Sequence, residues 1–255
     1  MKHWSCIVLL LFLWLPPAFG NPKDVSIPIL LYHRFGPSAS DSMTTPTSFF
    51  ESHLKYFRDH DYSVIPLRVL VDYHLGRRPT PPHLRSLVIT VDDGHQSVYT
   101  DMLPLLKKYH CHATLFLYPS AISNASYALT WNQLREMKET GVFDFQSHTY
   151  WHPNFKQEKK KLTPDQYEAS VKMQFVKSKE KLEKEFHTQV NMLAWPFGIY
   201  DEQLMQKAAE AGYVAAFAMA RQHATPGDNI MALPRYLLTN SNGEFIKKIL
   251  LNGSR

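Results

Sequence analysis

Two short segments of this chain carry side chains that could bind a metal ion and hydrolyse a substrate. Asp92-Asp93-Gly94 places two adjacent carboxylates after an apolar stretch, and a second segment contains His148 and His152, four positions apart. Two imidazoles and one carboxylate form a ligand set for zinc that leaves one coordination position open for water. The other carboxylate is then free to act as a base, so the two segments together predict metal-assisted hydrolysis.

Each segment also has a purely structural explanation. A pair of histidines is weak evidence for a metal in a chain with 13 of them, because histidines are often exposed or buried without a ligand. Asp followed by Gly is ordinary turn chemistry, and an aspartate can cap a helix, although a cap accounts for only one of the two. If Asp93 ligates the metal, Asp92 remains as the base. Pro153 favours an extended backbone at His152, so we expect the histidines to lie on a loop.

The elements that must position these residues alternate between strands and helices. Apolar runs of strand length recur along the chain at 27–32, 87–91, 113–118, 142–145, 190–194, 213–217 and 236–238. Helical patterns lie between them at 48–60, 102–109, 131–138, 164–185 and 201–211. This alternation predicts an α/β protein with mostly parallel strands. Ligand sites gather at the carboxyl ends of such strands, so we expect the aspartates, the histidines and Pro196-Phe197-Gly198 to share one edge.

The first twenty residues have the composition of an export signal. Lys2 precedes an apolar block from Ile7 to Leu15, and small residues surround Gly20. This block is too short to span the hydrocarbon core of a membrane, which favours a cleaved signal over an anchor. We therefore expect residues 1–20 to be a signal peptide and residues 21–255 to form one domain. That domain is expected to be periplasmic or secreted, without stable membrane insertion.

Composition excludes several other functions. The net charge of +5 is small and its basic residues are scattered, so nucleic acid is not an expected partner. The densest basic cluster, 156–161, is interpreted as a solvated loop.

Cys111 is the one cysteine outside the signal segment, so it cannot form an internal disulfide. It precedes an apolar run and is interpreted as a small buried hydrophobe rather than a nucleophile. We expect a monomer.

Three motifs in order make this chain resemble a known family: Thr-Val-Asp-Asp-Gly, Ser-His-Thr-Tyr-Trp-His-Pro and Ala-Trp-Pro-Phe-Gly. They are similar to the polysaccharide deacetylases, also called the NodB-homology or carbohydrate esterase family 4 domain. The resemblance covers about Ile27 to Leu238. Details at 28–33 and 131–134 look most similar to the branch that deacetylates poly-β-1,6-N-acetylglucosamine.

The resemblance implies a fold and a set of site residues. The fold is a distorted (β/α)₇ barrel of the NodB-homology type, in agreement with the alternation of strands and helices. Asp92 matches the general base, and the metal ligands match Asp93, His148 and His152. From the ligand types we expect zinc, with nickel, cobalt or iron as alternatives.

A groove wall for the substrate is also implied. Pro196 and Phe197 match the wall segment, where a backbone N–H near Phe197 would help to hold the oxyanion. Tyr150 and Trp195 are candidates to pack against a sugar face, and a place in the core is an equally good interpretation of both.

Two departures from the family pattern concern the groups around the site. Much of the family has an arginine that orients the base at the position of Ala194, and we hypothesise that Arg235 supplies this charge instead. The family also often has a histidine near the end as general acid, and residues 235–240 contain none. Either His33 approaches the site, or protonated Asp92 returns its proton to the leaving amine.

The expected function is removal of acetyl groups from N-acetylglucosamine units of an exported polysaccharide, with poly-β-1,6-N-acetylglucosamine as the favoured polymer. Peptidoglycan or a chitin-like oligosaccharide is the alternative within the same chemistry. A carbohydrate-binding protein that has lost catalysis is a different class of function. The missing arginine and histidine argue for that class, and the intact set of two aspartates and two histidines argues against it.

Overall fold

A sheet of parallel strands forms the centre of the fold. The computed structural model describes residues 25–239 and 243–252, so the predicted signal peptide lies outside the described residues. The strands are β1 (Ile29–Tyr32), β2 (Arg34–Gly36), β3 (Thr44–Pro46), β4 (Ser63–Val64), β5 (Ser86–Asp93), β6 (Ala113–Leu117), β7 (Phe143–Ser147), β8 (Met192–Ala194), β9 (Ala215–Phe217) and β10 (Tyr236–Leu237). All seven predicted strands are present.

The main sheet runs in the order β10-β1-β5-β6-β7-β8-β9, with β4 beside β5, and its pairings are parallel. Strands β2 and β3 pair separately. Backbone hydrogen bonds also join β9 to the segment that leads into β10: Leu233 N–H donates to Ala216 O, and Ala218 N–H donates to Leu233 O. The two ends of the sheet therefore meet, which confirms the predicted distorted barrel of seven parallel strands.

Helices surround this sheet. Those of the described residues are α1 (Thr47–Asp59), α2 (Leu67–His74), α3 (Leu103–Tyr109), α4 (Trp131–Glu139), α5 (Phe155–Lys161), α6 (Pro164–Phe186), α7 (Glu202–Glu210) and α8 (Gly243–Asn252). Shorter helical turns lie at Val98–Met102, Pro196–Gly198 and Ile230–Ala232. None of the helices formed by residues 25–239 and 243–252 combines the length and the apolar character that crossing a membrane requires.

Local sequence explains where the long helices begin. Thr130 and Thr163 each accept a hydrogen bond from the backbone N–H three residues on, and Gln133 and Gln166 return one to the cap. These capping boxes satisfy N–H groups that have no partner within the helix. The five predicted helices are present with small shifts at their ends.

The basic cluster was wrongly predicted to be a loop, because it forms α5. The Asn154 side chain accepts the Gln157 N–H at 3.0 Å and caps the helix. Phe155, 1% exposed, anchors the first turn in the core, while the lysines stay in solvent. One buried ring and a cap are therefore enough to fold a segment whose composition suggests a loop.

Strand β5 separates two parts of the core. Leu87, Ile89 and Val91 pack in the larger hydrophobic cluster, whereas Val88 packs in a second cluster with α2. Side chains alternate along a strand, so Asp92 belongs to the face of Val88. Cys111 is buried with a free thiol, as predicted, and burial raises the pKa of that thiol to about 11.

Candidate active site

The candidate site lies at the carboxyl ends of the strands, as predicted. Asp92 and Asp93 end β5 and His148 follows β7 directly, whereas Arg235 immediately precedes β10 and reaches Asp92 through its long side chain. Because β5, β6, β7 and β8 are parallel neighbours, their ends meet at one edge. This topology brings together side chains that are up to 143 residues apart in the sequence.

Three of these side chains converge on one point. An oxygen of Asp93 lies 3.6 Å from Nε2 of His148 and 3.8 Å from Nε2 of His152. The candidate ligand atoms of all three residues lie within 4.8 Å of one another. Nδ1 of His148 is 2.8 Å from the carbonyl oxygen of Ala194 and donates to it, which leaves Nε2 to face the cluster. The predicted metal ligands are thus positioned together, with donor atoms suited to a divalent ion.

The protonation states of these three side chains are compatible with binding of a divalent cation. Burial lowers the pKa of His148 to about 4 and that of His152 to about 3, so both imidazoles are neutral and keep a lone pair for a ligand bond. Burial, followed by the charge of Asp92, raises the pKa of Asp93 to about 7. The contacts between these histidines and aspartates are therefore not ion pairs. A divalent ion would stabilise the charged form of Asp93.

The two histidines lie on a loop, which confirms that prediction, but its stated reason was wrong. His152 has φ of +59° and Thr149 has φ of +67°, so His152 is left-handed and not extended before Pro153. The N–H of His152 donates to Oγ1 of Thr149 at 3.2 Å. Residues other than glycine rarely adopt a positive φ, and a residue before proline favours an extended backbone. The local sequence therefore disfavours the conformation of His152 that this hydrogen bond accompanies.

Asp92 forms a buried, two-pronged ion pair with Arg235. Both carboxylate oxygens accept from the guanidinium at 2.8 Å, and the two side chains are 3% and 0% exposed. Burial by itself would raise the pKa of Asp92, but the charge and the hydrogen bonds of Arg235 outweigh it and lower the pKa to about 2. Asp92 is therefore ionised. Arg235 thus supplies a positive charge to the carboxylate that the sequence predicts to be the base.

His33 also belongs to this cluster. Burial lowers its pKa to about 4, and the charges of Asp92, Arg235 and Arg34 act on it. Its Nδ1 is buried without a hydrogen-bond partner in the part of the chain that the structure describes. The role of His33 as general acid therefore stays a prediction.

The predicted groove wall is only partly correct. Phe197 is 53% exposed, and its ring lies 4.5 Å from the His152 ring. Trp195 was wrongly predicted as a sugar contact, because it is 1% exposed and its Nε1 donates to the carbonyl oxygen of Met231. Pro196 is buried beside it. The Tyr150 ring lies near Lys177 Nζ, so its role as a sugar contact stays a prediction.

Several aromatic residues near the site were missed. The Tyr118 ring lies 5.3 Å from the His152 ring, and its hydroxyl shares a hydrogen bond of 2.5 Å with the Tyr127 hydroxyl. The exposed aromatic side chains around the site, which we call the aromatic rim, are Tyr127, Trp151, Phe197 and Tyr200. Tyr118 is the last residue of a predicted strand, and this position at a strand end could have identified it as a site residue. The exposure of the others depends on tertiary packing.

Comparison with known proteins agrees with this geometry. The family model for polysaccharide deacetylase matches residues 80–216. YxkH of Bacillus subtilis (strain 168), named as a polysaccharide deacetylase, is 31% identical over 192 residues, a match covering 75% of this chain and 63% of YxkH. The poly-β-1,6-N-acetyl-D-glucosamine N-deacetylase of Staphylococcus aureus (strain MRSA252) is 27% identical over 252 residues, covering 91% of this chain and 86% of that protein.

A solved structure supports the fold. The Streptococcus pyogenes deacetylase PplD, solved in complex with acetate, superposes with a TM-score of 0.78 at 24% identity, covering 89% of this chain and 98% of that chain. The matched segment 80–216 contains the aspartate pair, both histidines and the Phe197 segment. The chain belongs to the polysaccharide deacetylase family.

Proposed function

We propose that this chain is an exported, metal-dependent enzyme that removes N-acetyl groups from N-acetylglucosamine units of an extracellular polysaccharide. The observation that carries the proposal is the convergence of Asp93, His148 and His152 beside the ion pair of Asp92 and Arg235. We further propose residues 1–20 as the signal peptide and residues 21–255 as the catalytic domain. Poly-β-1,6-N-acetylglucosamine is the favoured polymer, supported by the name of the Staphylococcus aureus relative.

The metal ligands proposed are Asp93, His148 and His152, with zinc as the favoured ion and nickel, cobalt or iron as alternatives. A divalent ion bound there would acidify a water molecule and polarise the acetamide carbonyl. The neutral imidazoles can each offer a lone pair without losing a proton, whereas Asp93, whose pKa is raised to about 7, would be held in its ionised form by the bound ion. Nδ1 of His148 keeps its ring oriented through the Ala194 carbonyl.

Asp92 is the proposed general base. It accepts a proton from the water that attacks the acetamide carbon, while Arg235 keeps both carboxylate oxygens oriented. The N–H of Phe197 would donate to the carbonyl oxygen as negative charge develops on it. The C–N bond then breaks, and protonated Asp92 returns its proton to the leaving nitrogen, since His33, with its pKa lowered to about 4, is neutral. The products are acetate and a free amine on the sugar.

The aromatic rim supports a carbohydrate polymer as substrate. Exposed apolar side chains gathered beside a site commonly mark a binding groove. A cavity of about 420 Å³ extends from Tyr200 between α5 and α7, and Ile199 joins it to the Phe197 segment. Space beyond the reacting unit favours a chain of sugars over a single one.

The test is acetate release from N-acetylglucosamine oligomers by wild-type protein, by Asp92→Asn and by a matched variant, Asp144→Asn. Loss of a general base lowers turnover by about 10²–10⁴-fold. Asp144 lies on β7 and accepts from the Gln146 amide, away from the ligand atoms, so Asp144→Asn should retain activity. Undiminished release by Asp92→Asn, or by protein freed of metal, would refute the mechanism.

The same assay separates the alternative functions. Faster release from β-1,6-linked than from β-1,4-linked oligomers supports the favoured polymer, and the reverse supports a chitin-like or peptidoglycan substrate. A carbohydrate-binding protein without catalysis would bind oligomers and release no acetate when loaded with zinc. The buried pairing of Arg235 with Asp92 weighs against such a protein, because it supplies the charge that Ala194 lacks.

A further inference from the structure

The loop that carries both histidines is held from α6 by one buried amide. The Gln174 side chain is 0% exposed, and its Oε1 accepts the backbone N–H groups of Tyr150 and Trp151, each at 3.0 Å. These two residues lie between His148 and His152. Two consecutive N–H donors leave only one possible orientation for the amide, with its oxygen toward the loop. Gln174 therefore fixes the backbone that separates the two imidazoles.

The loop needs such a restraint. Thr149 and His152 both have positive φ, a conformation that residues other than glycine adopt rarely and that persists only where the surroundings enforce it. A second contact comes from Ser178, whose hydroxyl lies 2.8 Å from the Ser147 hydroxyl. The Ser147 hydroxyl in turn accepts the Thr149 N–H at 3.2 Å.

Gln174 is not explained by packing alone. Its Nε2 is buried without a hydrogen-bond partner among the residues of 25–239 and 243–252, and an apolar side chain of the same length would avoid that cost. Gln146 offers a comparison, because its Oε1 also accepts two consecutive N–H groups, those of Asn191 and Met192. The Nε2 of Gln146, however, is satisfied by Asp144. The Gln174 amide therefore contributes through its acceptor oxygen, which holds the two loop N–H groups.

We propose that Gln174 is a positioning residue for the metal site, which sets the distance between His148 and His152 and thereby the affinity for a divalent ion. This inference rests on the proposed metal-dependent function. Gln174 touches no ligand side chain in the contacts described and acts only through the Tyr150 and Trp151 amides. Partners that orient metal ligands typically change affinity by about 10–100-fold when they are replaced.

The experiment compares wild-type protein with Gln174→Met and Gln174→Glu. Binding of Zn²⁺ to the metal-free protein is measured by competition with a chromophoric chelator, and the visible spectrum of bound Co²⁺ reports the ligand geometry. We expect Gln174→Met to bind Zn²⁺ about 10–100-fold more weakly with an altered Co²⁺ spectrum. Gln174→Glu keeps the acceptor oxygen and should restore most of the affinity and the wild-type spectrum.

Gln146→Met is the matched control, since it removes the same kind of double acceptor from the same core without touching the loop. We expect it to keep Zn²⁺ affinity within about twofold. If Gln174→Met does not fold, Gln174→Asn, which withdraws the amide by one methylene, must show the loss instead.

Wild-type affinity and spectrum in Gln174→Met, or an equal loss in Gln146→Met, would overturn the role of Gln174. Failure of the wild-type protein to bind either ion would instead refute the metal site, so the two failures are distinguishable.

Discussion

At the scale of single residues, two neighbouring aspartates differ because their partners differ. Asp92 shares a buried ion pair with Arg235, whereas Asp93 faces two neutral imidazoles. The first carboxyl has its pKa lowered to about 2, and the second has it raised to about 7. One aspartate is therefore a stable anion, and the other is a ligand that a metal would ionise. This difference supports the proposed division of roles between base and ligand.

Replacing Arg235 with alanine should cost both stability and activity. The change leaves the Asp92 carboxylate buried without its partner, which destabilises a protein by about 3–5 kcal/mol. We expect a matching fall in the free energy of unfolding, measured with urea, and a loss of acetate release. The double variant Asp92→Asn with Arg235→Met removes both charges and should recover part of the stability while staying inactive. Wild-type stability and turnover in Arg235→Ala would show that the pair has no such role.

Site residues were predictable where chemistry alone restricts the residue type. Adjacent aspartates and paired histidines stand out in the sequence because neither is needed to build a core. Trp195 and Phe197 lie two positions apart, and the sequence does not show which is exposed. Left-handed φ at Phe197 turns its ring out, while Trp195 packs inward against Phe175. Gln174 was missed because an amide side chain among the apolar positions of a helix does not by itself indicate a metal ligand or a catalytic group.

At the scale of elements, the end of β5 combines two left-handed residues in succession. Asp93 has φ of +76° and Gly94 has φ of +78°. This turn directs Asp93 toward the histidines directly after Asp92 has pointed toward Arg235. A Cβ on Gly94 would lie 2.6 Å from Cδ2 of the buried Leu117, so the Leu117 side chain or the backbone would have to shift. Glycine is therefore favoured here by both backbone and packing.

Gly94→Ala should destabilise the protein more than Gly76→Ala. Both glycines have positive φ, which costs a residue with a Cβ about 1–2 kcal/mol. Gly76 has open space where a methyl group would lie, whereas Gly94 adds the cost of overpacking, about 1–3 kcal/mol. Urea unfolding of the two variants measures the difference. Equal losses would mean that the Leu117 side chain moves aside without cost.

Elements were predictable where one periodicity dominates. The buried parallel strands are continuous apolar runs, as expected for strands covered on both faces. Strands β2 and β3 are short and partly polar, and α2 has only eight residues. None of these three elements gives a strong periodic pattern of apolar residues. Helix α5 depends on Phe155, whose burial is set by α6 and not by the helix itself.

At the scale of the whole molecule, a cavity lies beside the segment that follows Phe197. The cavity beside Tyr200 is lined by residues of α5, α6 and α7 and holds Lys156, Lys159 and Lys160 at its edge. The Tyr200 ring is 42% exposed and stacks on Trp195 with a centroid separation of 6.1 Å. The buried tryptophan thus supports an exposed ring, a supporting role in place of the direct sugar contact predicted for it.

Tyr200→Ala should lower kcat/KM for long oligomers and leave that for the dimer unchanged. One aromatic contact contributes about 0.5–1.5 kcal/mol, equivalent to roughly a 2–12-fold change. The measurement is acetate release across an oligomer series. Leu84→Ala is the control, because Leu84 is 62% exposed just before the amino end of β5, away from the site. An equal effect of Tyr200→Ala at every length would argue against sugar binding in the groove.

The pairing of Asp92 with Arg235 has a consequence for how the protein matures. The proposed base comes from the first half of the chain and its cation from just before the last strand, 143 residues later. Until residues 233–237 pair with β1 and β9, the Asp92 carboxylate has no counter-charge from Arg235. Closing the barrel therefore also completes the ion pair. Copies truncated before Arg235 are expected to be inactive for that reason.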